Sequence, residues 1–300
     1  MLSRIGDFAH STRMTDLLMA AQTRSRAAQV QISSGKVADR FEGIAMESDR
    51  LVGTKSVLQR TQQYQDNNDL VNGRLVAMES SVASLHEVGS QLRVRLLQRL
   101  NDAGSVPGLL TGEARSMLDQ TVADLNAEFD GRYLFAGSKT DTAPVVLDPA
   151  FATFGAPDDT FYQGDAVELT VLADDDIEVT YGMTADRAGF HELVGALRAV
   201  IEADAIDDRP RLEAALDLVN AALPKIAQDR STLGLRQARL EQINTGHSDA
   251  AVYLGQQISD IENVDLAEAV TRMTQDQILL ESAMATISRL NQLSLADFLR

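Results

Sequence analysis

Apolar positions recur along the N-terminal third in unbroken steps of four and three: Val57, Thr61, Tyr64, Asn68, Val71, Leu75, Met78, Val82, Leu85, Gly89, Leu92 and Leu96. This is a heptad seam, the spacing that keeps one stripe of an α-helix turned towards a partner. At ~1.5 Å per residue, a helix from Leu51 to Leu100 would run about 75 Å, which predicts a rod. A shorter seam precedes it at Met14, Leu18, Ala21, Ser25, Ala28 and Ile32, where small residues let another helix come close. Gly35 and Gly43, on either side of Phe41, are expected to separate the two helices. The C-terminal end mirrors this pattern. Leu266, Val270, Met273, Gln277, Leu280, Met284, Ile287 and Asn291 keep the same spacing, and an upstream run at Leu254, Ile258 and Ile261 stands in a shifted phase. Such a shift predicts a joint near Val264-Asp265.

Two heptad segments at each end, in mirror order, pair most economically with each other, which places both chain ends together. The expected fold is mainly α: a long antiparallel coiled coil or helical bundle built by the N- and C-terminal arms, with a small β-rich inserted domain. Proline supports this, because it costs about 3 kcal/mol inside a helix. The six prolines, Pro107, Pro144, Pro149, Pro157, Pro210 and Pro224, all lie outside 1–106 and 225–300. In the middle, Val167–Leu172 and Ile177–Tyr181 alternate apolar and polar residues around Ala173-Asp174-Asp175-Asp176, which predicts a β-hairpin closed by an acidic loop. Helical patterning resumes at Phe190 and is expected to break at Pro210 and Pro224. The domains predicted are 1–42 with 265–300 as a terminal coiled-coil assembly domain, 43–138 with 188–264 as a helical rod, and 139–187 as a β-rich, acidic, solvent-facing insertion.

Charge and composition sharpen this outline. Of 300 residues 27 are basic and 44 acidic, a net charge of −17. Residues 1–138 carry −1, 139–230 carry −12 and 231–300 carry −4, so the acidity belongs to the middle. Nucleic acid and anionic membrane surfaces are thereby disfavoured as partners. Cysteine and tryptophan are absent, which excludes disulfides, thiolate nucleophiles and cysteine metal sites. No apolar run approaches the ~18 residues of a membrane span, and the N-terminus has no Sec-type signal pattern.

Candidate chemistry is sparse. His10, His86, His191 and His247 are isolated and read as solvated helical residues. Asp174-Asp175-Asp176 lacks the spacing of a calcium loop and reads as a turn. Ser33-Ser34-Gly35-Lys36 contains Ser-x-x-Lys without the companion elements an acyl-transfer enzyme needs, and reads as a helix terminator. No metal, cofactor or enzymatic activity is expected. The outer arms, roughly 1–40 and 265–300, bury too little as two helices to be stable alone. They are expected to fold on meeting copies of themselves or a partner, as in a polymer subunit.

The stretch Gly131-Arg132-Tyr133-Leu134-Phe135-Ala136-Gly137-Ser138-Lys139-Thr140-Asp141-Thr142-Ala143-Pro144 resembles the junction after the N-terminal helices in the hook-associated protein 3 family, the hook–filament junction proteins of the flagellin superfamily. Gln31–Lys36, Phe161-Tyr162-Gln163-Gly164-Asp165, Leu233-Gly234-Leu235-Arg236 and the ending Leu293–Leu299 are similar to the same family. Val37–Ala45 departs from it, where the family has an acidic, proline-containing loop. The resemblance implies a structural adaptor outside the cell, on the bacterial flagellum, exported through the flagellar type III apparatus without a cleaved signal peptide. Its implied partners are identical copies in a ring, a neighbouring hook-associated protein, flagellin and a cytoplasmic export chaperone. The terminal pairing residues would be Met14, Leu18, Ala21, Ile32, Leu266, Val270, Met273, Leu280, Met284 and Ile287. A short flagellin is the alternative, and a cytoplasmic coiled-coil scaffold a more distant one.

Overall fold

The computed structural model describes residues 2–38, 47–101, 106–148 and 155–298, with side chains described between 12 and 289. Helices dominate, as the heptads predict: α1 (Leu2–Ser34), α2 (Ser48–Asn101), α3 (Leu109–Leu125), α4 (Ala188–Ala205), α5 (Arg209–Glu262) and α6 (Leu266–Phe298). Strands β1 (Glu128–Phe129) and β2 (Arg132–Tyr133) form one antiparallel pair, and β3 (Thr170–Asp174) and β4 (Ile177–Thr180) another. The chain forms two compact units, 1–59 with 251–300, and 60–250. The atypical loop of Val37–Ala45 falls largely outside the described residues.

In the unit 60–250 the predicted α2 seam faces inward. Thr61, Asn68, Val71, Leu75, Met78, Val82, Leu85, Leu92 and Leu96 are buried, with Tyr64 half-buried. Opposite it, α5 turns in Leu212, Ala215, Val219, Ala222, Ile226, Leu233 and Leu240. The two helices run antiparallel, as the hydrogen bonds Arg230 to Glu79 (2.6 Å) and Asn68 to Asn244 (3.0 Å) require. Helix α4 fills the space between them and is apolar nearly all round: Phe190, Leu193, Val194, Leu197 and Val200 are fully buried. A helix of that kind belongs in a core. At Gly89 a Cβ would come within 3.0 Å of Leu223 and 3.5 Å of Leu193, so α2, α5 and α4 meet where α2 has no side chain.

Two buried ion pairs hold the connections. Asp158, within the insertion, pairs with Arg198 of α4 at 2.7 Å. Asp204, at the end of α4, pairs with Arg99 of α2 at 2.7 Å. Its other oxygen accepts the backbone N–H groups of Leu110 (2.8 Å) and Thr111 (3.0 Å). Helix α3 has no side-chain cap of its own at Gly108, so Asp204 caps it from another helix.

Three expectations are corrected. Of the two proline breaks only one is present: α4 ends at Ala205 and α5 begins at Arg209, so the helix is interrupted just before Pro210, which sits in the first turn of α5 where a missing N–H leaves no bond unmade, whereas Pro224 lies inside the helix, near buried Leu223 and Ile226. The predicted hairpin begins at Thr170, and Ala173 is a buried strand residue instead of a loop residue. His247 is buried, with its ring nitrogen 2.9 Å from the Ala173 carbonyl oxygen, and His191 lies 3.1 Å from Asp186. Neither is a solvated surface histidine. Within 139–187 the described regular β structure is the β3–β4 hairpin and an isolated bridge from Val145 to Tyr162.

Candidate functional site

The terminal helices form an antiparallel pair with a defined joint. Helix α1 stops where Gly35 takes φ 71° and its N–H bonds Gln31, a glycine terminator. Helix α5 ends at Glu262 and α6 begins at Leu266. Between these two breaks the backbones bond directly: Val37 N–H to the Glu262 carbonyl (2.8 Å) and Val264 N–H to the Gly35 carbonyl (3.0 Å), around a Lys36–Asn263 bridge. Asp265 then caps α6, accepting the N–H groups of Ala267 (2.9 Å) and Glu268 (3.1 Å). Lys55 pairs with Glu262 beside the joint. Further along, Arg24 of α1 reaches Asp276 of α6 at 3.0 Å.

Burial sorts the sequence-predicted positions. On α1, Ala21 and Ala28 are buried, and Met14, Leu18, Ser25 and Ile32 are half-buried. On α6, Ala269 is buried and Met273, Asp276, Leu280, Ala283 and Ile287 are half-buried, at steps of four and three. Leu266, Val270 and Met284 are exposed at 52%, 44% and 53%. Ile278 and Leu279 of α6 are exposed too, as are Leu17, Met19 and Val30 of α1. Helix α6 thus carries large apolar side chains beyond the seam that the monomer covers.

A second cluster gathers the string from Gly131. Asp130 (φ 52°) and Gly131 (φ 70°) form the two-residue turn between β1 and β2, the Asp-Gly geometry a tight hairpin asks for. Leu134, Phe135 and Ala136 are buried beyond it. Gly137 (φ 70°) then passes so close to Asp165 that a Cβ would lie 2.2 Å from the carboxylate. The Asp165 carboxylate accepts the Ser138 hydroxyl and N–H (2.9 Å) and the Val167 N–H (3.1 Å). These bonds, the hydroxyl first, and the nearby Lys139 ammonium hold its pKa below the usual aspartate value. Tyr162 donates to the Asp165 carbonyl at 2.6 Å; burial first, then the charges of Asp165 and Asp186, push its pKa up to about 12. Lys139 adds hydrogen bonds to the Gly164 (3.2 Å) and Gln163 (3.4 Å) carbonyls. So Gly131–Lys139 and Phe161–Asp165, two separate parts of the sequence, tie into one knot. Arg132 and Tyr133 form β2, with Arg132 exposed and Tyr133 half-buried. Among the described residues no group of three or more histidine, aspartate or glutamate side chains is arranged to hold a metal.

Comparison with known proteins places this architecture. The bacterial flagellin N-terminal helical region matches residues 7–140, and the bacterial flagellin C-terminal helical region matches 216–299. The chain belongs to the bacterial flagellin family. The intervening segment, 141–215, carries the β3–β4 hairpin and α4. A flagellin of Halalkalibacterium halodurans is 23% identical over 90% of this chain and 89% of its own length. Flagellar hook-associated protein 3 of Escherichia coli is 26% identical over 62% of this chain and 64% of its own. In structure, the chain shares the fold of Bacillus cereus FlgL (TM-score 0.57, 19% identity, 70% of this chain and 99% of that one). It shares it equally with hook-associated protein 3 of Legionella pneumophila (TM-score 0.57, 14% identity, 69% and 98%).

The flagellin-family regions end at informative places. The N-terminal match closes at Thr140, whose carbonyl accepts the Tyr133 N–H at 2.9 Å, so it takes in the Gly131–Lys139 part of the knot and leaves out Phe161–Asp165. The buried ion pairs of Asp158 and Asp204 and the buried His247 carried no sequence signal as sites. Their partners stand 40, 105 and 74 positions away, and only the fold brings them together.

Proposed function

We propose that this flagellin-family chain is the structural adaptor that joins the flagellar hook, through another hook-associated protein, to the flagellin filament. The observation that carries an assembly role is the α1–α6 pair. One apolar seam is closed within the monomer, while Leu17, Met19, Leu266, Val270, Ile278 and Met284 remain exposed on its outer faces. Large exposed apolar side chains along a helix pair mark a surface built to be covered. The relation to the E. coli hook-associated protein 3 supports the junction rather than the bulk filament. In this reading 1–42 with 265–300 form the assembly domain, 43–138 with 188–264 the helical rod, and 139–187 the solvent-facing insertion. Its partners are copies of itself in a ring, the neighbouring hook-associated protein, flagellin, and a cytoplasmic chaperone during type III export to the outside of the cell. The role is mechanical, without catalysis.

The flagellin of H. halodurans, matched over nearly its whole length, favours a second reading as a short flagellin. Complementation separates them. A strain lacking this chain is expected to make hooks but shed flagellin into the medium, and quantitative immunolabelling is expected to find few copies at the filament base. Thousands of copies along the filament would establish the flagellin reading. Leu280→Asp or Leu18→Asp, each placing a charge in the terminal seam, is expected to abolish filament attachment and leave 60–250 folded. Normal filaments in those strains would refute assembly through the seam.

A further inference from the structure

The hairpin β3–β4 does something its sequence does not announce. Its register shifts between Leu172 and Asp174, leaving Ala173 as an extra residue in β3. A bulge of this kind turns one backbone group away from the strand ladder. Here the Ala173 side chain is fully buried, and its carbonyl oxygen accepts two hydrogen bonds from two different helices: from Asn68 Nδ2 of α2 at 3.0 Å and from His247 Nε2 of α5 at 2.9 Å. Asn68 is fully buried and His247 nearly so.

The same helices are joined around this point by further polar contacts. Asn68 Nδ2 also donates to Asn244 Oδ1 (3.0 Å), and Asn244 Nδ2 donates to Asp69 (2.6 Å). The Tyr64 ring of α2 stacks on the His247 ring of α5 with centroids 5.7 Å apart. At the hairpin tip, Asp175 accepts the Tyr64 hydroxyl at 3.0 Å and pairs with Arg60 at 3.0 Å. Over 71–96 α2 meets α5 mainly through aliphatic side chains and methionine, with the Arg230–Glu79 pair beside them; over 60–69 and 244–247 asparagine, tyrosine and histidine take their place. Polar groups buried in such a contact specify one arrangement where they are bonded, as Asn68 Nδ2, Asn244 and His247 are, while Asn68 Oδ1 has no hydrogen-bond partner among the described residues.

We infer that the β3–β4 hairpin is a clasp: its bulged Ala173 carbonyl and its Asp175 tip staple α2 to α5 at this polar end of the helix pair and fix their spacing and register there. The acidic loop is then a fastening element of the rod rather than a passive surface turn. Its action does not depend on which flagellar role the chain has.

The test uses the full-length chain and its lack of cysteine. Spin labels at Asp66→Cys on α2 and Ser248→Cys on α5, both exposed positions, report the distance between the helices by double electron–electron resonance. His247→Phe keeps the ring stack on Tyr64 and removes the donor, and His247→Gln restores a donor. With the clasp intact the distance distribution is expected to be narrow; His247→Phe should broaden it and His247→Gln should narrow it again. Hydrogen exchange should show amides of 62–70 and 243–250 exchanging at least about fivefold faster in His247→Phe, the factor equivalent to one net hydrogen bond, with α4 unchanged. Tyr64→Phe with Asp175→Ala, which alters only the outer part of the clasp, is expected to accelerate the same amides and no others. A distance distribution unchanged in His247→Phe, or exchange that rises equally throughout 60–250, would overturn the proposal.

Discussion

Asp204→Ala perturbs one of the two buried ion pairs described in 60–250. The Asp204 side chain has 0% exposure and Arg99 has 9%. The carboxylate divides its work: Oδ1 accepts Arg99 Nε, while Oδ2 accepts the Leu110 and Thr111 N–H groups and the Thr111 hydroxyl. Removing it has two consequences. Helix α3 loses the side chain that caps it, worth about 1 kcal/mol, and Arg99 loses its buried counter-charge while keeping Asp207, itself 59% exposed. Breaking a buried pair by deleting one partner costs about 3–5 kcal/mol, against a total of about 5–15 kcal/mol for a folded domain. The two effects share the same carboxylate and do not add fully, so the expected loss is about 3–5 kcal/mol. For a unit of this size that corresponds to a fall in Tm of about 6–20 °C. Four of the five tyrosines, Tyr64, Tyr133, Tyr162 and Tyr181, lie within 60–250, so tyrosine fluorescence during denaturant unfolding reports on this unit. The double change Arg99→Met with Asp204→Leu removes both charges and is expected to recover most of the loss. A cost below about 1 kcal/mol for Asp204→Ala, or a double variant no better than the sum of its parts, would refute the buried charge as the main source of the loss.

Other substitutions separate backbone strain from contact. Gly131→Ala meets nothing within 4 Å at φ 70°, so it should cost only the left-handed penalty of about 1–2 kcal/mol, whereas Gly137→Ala drives a Cβ into Asp165 and should cost clearly more; unfolding of the two variants side by side checks this. Tyr162 has a pKa raised from 10.0 to about 12, so its contribution to stability is complete below pH 10 and is lost as pH rises from 10 to 12. The stability difference between the native chain and Tyr162→Phe should therefore shrink across that window in alkaline unfolding, and a constant difference would contradict it. Asp165 works in the opposite sense: its folded pKa lies below 3.8, so its stabilisation is present above that value and is lost on acidification below it, which Asp165→Asn should abolish. Asp265→Ala removes the α6 cap and should cost about 1 kcal/mol, seen as faster amide exchange in the first turn of α6 alone.

Much of the fold was legible because heptads are local. The seam from Thr61 to Leu96 needs only its own spacing, and Gly35 and Val264-Asp265 mark their breaks in the residues themselves. Helix α6 was harder to phase. Its large apolar residues are not confined to the covered seam, so counting leucine, valine and methionine mixes exposed Leu266, Val270 and Met284 with half-buried Met273, Leu280 and Ile287. The side turned inward is marked instead by Ala269 and Ala283, which are legible only once a partner helix is known to approach. Pro224 misled because propensity is a weak prior against a buried helix face. His247 and the acidic hairpin misled because their partners come from other elements.

The terminal pair shows why a repeat pattern alone cannot specify an assembly helix. Extending the register set by the Lys36–Asn263 bridge and the Arg24–Asp276 ion pair brings Ala21 to within about one residue of half-buried Leu280, Ala28 of half-buried Met273 and Ile32 of buried Ala269. Each small residue then faces a large one, which lets the helices approach closely while filling the seam. Heptad spacing by itself would tolerate a slip of one repeat, because apolar positions would again meet apolar positions. Two features oppose the slip. Arg24 would face Ala269 or Ala283 instead of Asp276, and the backbone bonds of Val37 and Val264 would lose their partners altogether. An exposed ion pair contributes little on its own, so the backbone joint carries most of the selection. Register is thus imposed at the end of the pair nearest the chain breaks and propagates outward towards the termini, and with it the choice of which apolar side chains are left uncovered.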